Sequence, residues 1–93
     1  MRAIDWTSQF KRDYKREGKG QHRKTLDEEL FAVVDFLAKD LALAPKSRDH
    51  ALTGELKDTR DCHVKPDLVL IYQKPDNATL RLVRLGSHSE LGI

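Results

Sequence analysis

The sequence predicts an α+β domain in which two N-terminal helices pack on one face of a small, mainly antiparallel four-stranded sheet. Two observations carry this reading. Apolar residues recur at helical spacing only in the first half of the chain, while the second half holds short apolar and β-branched runs separated by turn residues. Two helices followed by a three-strand meander leave one sheet face uncovered, and that face is the natural place for a site. The 93 residues make a single domain, residues 1–93, with one modest core. Any chemistry is therefore expected on an open surface.

Met1 to Asp5 is expected to form a short first strand. Trp6, Phe10 and Tyr14 then recur every fourth residue, which places three aromatics on one side of a helix and the basic residues largely on the other. Gly18-Lys19-Gly20 breaks that helix. Thr25 and Glu28 are spaced as a capping box at the start of a second helix. Leu26, Leu30, Val33, Val34, Leu37 and Leu41 give it an apolar stripe that must pack on something flat. Pro45 ends the helical region, and Pro45 to Gly54 reads as a polar connection. Leu56 to Val64 reads as a strand and Leu68 to Gln73 as a central one. Pro75-Asp76-Asn77 supplies turn chemistry before a last strand, Thr79 to Leu85.

No apolar run exceeds five residues, the length of Leu68 to Tyr72, and no basic-then-apolar signal segment opens the chain, so a cytoplasmic protein without membrane contact is expected. The only cysteine, Cys62, has no disulfide partner within the chain and is expected as a small buried hydrophobe. The formal net charge is +2, yet residues 1–24 carry eight Lys/Arg against three Asp/Glu. Within that segment, Lys11, Arg12, Lys15 and Arg16 are consistent with an electrostatic footprint for phosphate backbones. They fit a solvated helix face equally well.

Three of the four histidines, His50, His63 and His88, lie in or beside loops and strand ends of the second half, where a small antiparallel sheet can bring them together. Asp67, Arg60 and Arg84 complete a polar set. A phosphate-directed site needs this inventory, because histidine serves as acid or base near neutral pH and arginine holds phosphate bidentately. Arg60 reads equally well as an ion-pair residue, with Asp61 or Asp58 as partner. His22 reads as a solvated loop residue and Tyr72 as core. No Gly-rich phosphate loop, G-x-S-x-G or H-E-x-x-H is present, and the donors lack tight ligand spacing, so neither metal nor cofactor is expected.

Four stretches in order, Asp49 to Gly54, Arg60 to Asp67, Leu70-Ile71-Tyr72 and Arg84 to His88, resemble the YafQ branch of the RelE toxin family. The resemblance covers residues 49–88, and the two-helix region before it has the family's length. It implies the toxin of a type II toxin–antitoxin system: a metal-independent endoribonuclease that enters the ribosomal A site, cleaves messenger RNA and is held inactive by a cognate antitoxin. In such a reaction the ribose 2′-hydroxyl attacks the adjacent phosphate, leaving a 2′,3′-cyclic phosphate and a 5′-hydroxyl. That asks for a base, an acid and positive charge around the phosphorane. The resemblance assigns catalysis to His50, His63, Asp67 and His88, with His50 preferred as base and His88 as acid. Arg60 and Arg84 would hold the phosphate. The chain departs from the family where relatives tend to place aromatics for base stacking, at Leu68 and in the tail Leu91-Gly92-Ile93. Other readings stay open. The same fold serves ParE-like toxins that inhibit DNA gyrase without a histidine cluster, and the basic helices would suit an RNA-binding module without catalysis.

Overall fold

The computed structural model describes residues 1–93. Its elements are β1 (Ala3–Trp6), α1 (Ser8–Glu17), α2 (Leu26–Ala38), β2 (His50–Ala51), β3 (Arg60–Lys65), β4 (Leu68–Gln73), β5 (Thr79–Gly86) and α3 (His88–Leu91), with single 3-10 turns at Pro45–Ser47 and Gly54–Leu56. The sheet order is β1-β5-β4-β3-β2, with β1 parallel to β5 and every other pair antiparallel. The sheet therefore has five strands rather than four. The additional strand is β2, whose two residues come from the stretch expected to be a connection and are too few to show alternation. β3 begins at Arg60 rather than Leu56, because Leu56 closes a 3-10 turn whose carbonyl accepts from both the backbone N–H and the hydroxyl of Thr59. No helix is long and apolar enough to cross a membrane.

Thr7 caps α1 by accepting from the Phe10 N–H, and its hydroxyl donates to the Val83 carbonyl. Of the three spaced aromatics only Phe10 enters the core; Trp6 ends β1 and is 47% exposed. α2 buries Leu26, Leu30, Val34 and Leu37 but stops at Ala38, which leaves Leu41 outside it. Asp40 turns the chain there in a left-handed conformation (φ 58°), with Arg2 and Lys74 on its carboxylate. The capping box expected at Thr25 does not form, because the Thr25 hydroxyl accepts from Lys65 Nζ. A capping box does form at Ser87 and Glu90, starting the short α3.

The sheet face toward the helices carries Cys62, Leu68, Leu70, Tyr72, Leu80, Leu82 and Leu85, which form one core with α2 and Phe10. Cys62, Leu70 and Leu85 lie side by side across three strands, all fully buried. In β5 the register slips: Ile71 pairs with Arg84 and Tyr72 with Leu82, so Val83 is an extra residue. This bulge lets both Leu82 and Leu85 face the core although they are three residues apart.

β1 ends at Trp6, opposite Leu82, so the outer edge of β5 beyond that point has no neighbouring strand. α1 takes its place. The Asp13 carboxylate accepts from the Leu85 N–H at 3.0 Å, and the Arg16 guanidinium donates to the Leu85 carbonyl at 2.8 Å. Asp13, 3% exposed, also accepts from Arg84 Nε at 2.7 Å and from Arg16 at 2.9 Å. Burial by itself would raise its pKa, but these hydrogen bonds and the Arg84 charge bring it below the ordinary carboxylate value.

Replacing Asp13 by Ala is expected to destabilise the fold by about 3 kcal/mol, since it leaves the Leu85 N–H and a partly buried arginine unpaired. The melting temperature should fall by about 10–20 °C at neutral pH. Because the native pKa is depressed, the contribution is full above the unfolded-state pKa of about 3.9 and is lost as pH falls through the native value. The gap between wild-type and variant urea midpoints should therefore narrow in strong acid.

Candidate active site

Strand register assembles the site. Because Cys62 points into the core, its neighbours Asp61 and His63 point to the opposite face. One row across that face runs His50, Asp61, Ile71, Arg84; the next runs His63, Val69, Gly86. His88 opens α3 two residues beyond Gly86. Its ring centroid lies 5.1 Å from that of His63, with the planes inclined at 58°. Three of the four predicted catalytic residues thus come together from β2, β3 and α3.

His50 is held from its backbone side. Its Nδ1 lies 2.7 Å from the Arg48 carbonyl, an acceptor, so Nδ1 carries a proton and Nε2 is the nitrogen left free. Arg48 itself adopts a left-handed conformation (φ 49°), which is uncommon for an L side chain.

Asp61 was expected only as a partner of Arg60, yet it sits beneath the histidines. It is 2% exposed, and its Oδ1 lies 3.0 Å from His50 Nδ1 but off the N–H direction, which leaves that oxygen without a hydrogen bond. Burial raises its pKa most, positive charge on His50, His63 and His88 lowers it, and Asp49 raises it, for a net value above the ordinary one. A signal for this residue was available: in a strand, adjacent residues face opposite ways, so Asp61 belongs with His63 and not with Arg60.

The remaining expected residues have other partners. Asp67, in the β3–β4 turn, faces His22 Nε2 at 3.1 Å and accepts from Gln21 at 2.9 Å, so the histidine it orients is His22. His22 is correspondingly a half-buried, paired residue rather than a solvated one. Arg60 alternates onto the Cys62 side and pairs with Asp49 at 3.1 Å. Arg84 shares the site's row, but its guanidinium is turned to Asp13 through two hydrogen bonds. Arg16 is likewise a structural strut, bonded to Asp13, Glu17, Glu90 and Leu85, whereas Lys11, Arg12 and Lys15 are exposed. Tyr72 is buried and donates to Asp49. Burial pushes the Cys62 thiol up to about 12, which removes it as a nucleophile at neutral pH. Among His, Cys, Asp and Glu, no three side chains come together at metal-ligand spacing.

Residues 2–92 match the protein family described as the bacterial toxin of type II toxin–antitoxin system, YafQ. The mRNA interferase toxin YafQ of Escherichia coli K12 is 33% identical over 91 residues, covering 98% of this chain and 96% of that protein. A metal-bound toxin of Helicobacter pylori, known from its crystal structure, is 47% identical with a TM-score of 0.80, covering 98% of this chain and 99% of that one. The crystal structure of the Escherichia coli DinJ–YafQ complex contains a chain 31% identical to this one, with a TM-score of 0.79 and 98% of both chains covered.

Asp61 should be a residue that destabilises its own fold at neutral pH. A raised native pKa means the folded state holds the proton more tightly, so its stabilising contribution is full below about pH 3.9 and is lost as pH rises through the native value. Asp61→Asn is expected to raise stability near pH 7 by about 1 kcal/mol, with no gain near pH 3. Chemical denaturation at the two pH values reads this directly, and a loss of stability at pH 7 would contradict it.

Proposed function

The chain belongs to the YafQ family of toxins from type II toxin–antitoxin systems, and from that premise we propose that it is an endoribonuclease cleaving messenger RNA at the His50, His63 and His88 cluster. The observation that carries the reading is the convergence of three histidines from three elements over one buried carboxylate, on the sheet face turned away from the main core. Structural histidines have no need of such an arrangement.

In this reading His50 Nε2, free because Nδ1 is tied to the Arg48 carbonyl, accepts the proton of the ribose 2′-hydroxyl as its oxygen attacks the adjacent phosphorus. His88 donates a proton to the departing 5′-oxygen. His63, beside His88, donates to a non-bridging phosphate oxygen. The products are a 2′,3′-cyclic phosphate and a 5′-hydroxyl. Asp61 is a positioning residue, its buried carboxylate lying beneath the histidines 3.0 Å from His50 Nδ1. Asp67 acts through the groove it shares with His63 rather than on His50 or His88. A relative is described as metal-bound; in this chain no three His, Cys, Asp or Glu side chains stand at metal-ligand spacing, and no step is routed through a metal.

The cleavage takes place in the ribosomal A site, with Lys11, Arg12 and Lys15 of α1 as cationic contacts to ribosomal RNA. A cognate antitoxin holds the toxin inactive. Support for the antitoxin comes from the DinJ–YafQ complex, in which the relative is bound to a partner of that kind.

Addition of the protein to translating ribosomes is expected to yield new messenger ends inside A-site codons carrying 2′,3′-cyclic phosphate, unaffected by EDTA. His50→Ala and His88→Ala should each slow cleavage by about 10²–10⁴-fold while leaving ribosome binding intact. Absence of cleavage on ribosomes and on free RNA would instead direct attention to gyrase inhibition. Separately, charge reversal at Lys11, Arg12 and Lys15 should weaken sedimentation with ribosomes and flatten its salt dependence. Unchanged association would remove α1 as the anchor.

A further inference from the structure

Both arginines expected to hold phosphate are occupied, Arg60 by Asp49 and Arg84 by Asp13. Positive charge not already paired with a carboxylate has to be sought in other residues. An open groove of about 1100 Å³ between α2 and β3 has His63 in its wall, together with Lys46 and Arg48. Its two carboxylates each have a partner: Glu29 the Lys65 ammonium at 2.9 Å and Asp67 the His22 ring at 3.1 Å. Lys46 and Arg48 enter no ion pair and are exposed, so the groove is left with two unmatched positive side chains.

These two residues are not on a loose loop. They flank buried Ser47 on the Pro45–Ser47 turn, whose backbone is closed by hydrogen bonds to the Ala44 and Pro45 carbonyls. Arg48 then takes the left-handed conformation that delivers its carbonyl to His50 Nδ1. One residue therefore orients a site histidine through its backbone and lines the groove with its side chain, which sets the spacing between the two.

We propose that Lys46 and Arg48 form a phosphodiester subsite, holding the backbone of single-stranded RNA as it leaves the histidine cluster along this groove. The proposal rests on the nuclease reading above. Arg48 meets the phosphate oxygens through its planar fork, and Lys46 acts as a point charge on the same or the next phosphate.

The test is fluorescence anisotropy with a single-stranded RNA oligonucleotide made uncleavable by 2′-O-methylation, titrated across a salt series. Proteins compared are the wild type, the double variant Lys46→Ala/Arg48→Gln, Arg48→Lys, and Lys57→Ala as an exposed-lysine control, each checked for an unchanged melt. The double variant should bind roughly 10-fold or more weakly at low salt, with the slope of log K against log salt reduced by about 1–2. Arg48→Lys should recover much of the loss. In cleavage of the unmodified oligonucleotide, the defect should lie in KM more than in kcat. An unchanged affinity in the double variant overturns the subsite while wild-type cleavage upholds the nuclease. Equal loss for a duplex RNA overturns it too, because the charges then serve docking to structured RNA. If binding falls as expected but the wild-type protein cuts RNA neither free nor on translating ribosomes, the subsite stands and the nuclease reading fails.

Discussion

Leu85 has a strand on one side and none on the other, and the way its outer edge is satisfied governs much of this fold. An unpaired N–H and carbonyl beside a core residue are costly and are also an invitation to edge-to-edge pairing. Here two side chains from one helical turn, Asp13 and Arg16, replace the missing strand. The Asp13 carboxylate is itself buried, so Arg84 and Arg16 must remain with it. That requirement ties α1 to β5, uses up an arginine that would otherwise face the site, and fixes the backbone just before Gly86 and His88. A Cβ at Gly86 would stand 2.8 Å from an Arg16 nitrogen, so a side chain there requires that guanidinium to shift.

The site inherits its geometry from packing that has nothing to do with chemistry. Cys62, Leu70 and Leu85 form a dry row under the helices, and a slip of one residue in any of their strands would send an apolar side chain into water. Alternation then puts Asp61 and His63 on the other face with no freedom of choice. Against that rigid sheet, His50 and His88 come from a two-residue strand and the first residue of a four-residue helix. Rigid and lightly held elements thus meet at one place. The buried Asp61 oxygen without a hydrogen bond is the local strain this meeting leaves behind.

Elements whose residues are buried on a regular period were legible in the sequence. β4 has the predicted bounds, and α2 and the β3–β4–β5 meander follow the predicted pattern, because their apolar residues have nowhere else to go. β2 and α3 were not legible: both are too short for periodicity, and each is held by tertiary contacts and a cap. The Thr25 capping box failed for the same kind of reason, since a distant lysine competes for the hydroxyl. In the site, the histidine set was readable, but the roles of Arg60, Arg84 and Arg16 were not. Charge in a sequence does not say which carboxylate will claim it, and Asp13 and Asp49 lie 71 and 11 residues away from the arginines they hold.

Cys62 gives the molecule a built-in reporter. Its thiol is fully buried in the core beneath the helices, and ionisation there is suppressed, so an alkylating reagent meets almost no thiolate in the folded state. Reagents added to the native toxin will therefore label it at the rate at which the sheet opens, not at a rate set by the histidine face only one residue away. Since no other cysteine competes, slow labelling followed by mass measurement counts opening events directly. A ligand on the histidine face that clamps the sheet would be seen through a residue it never touches.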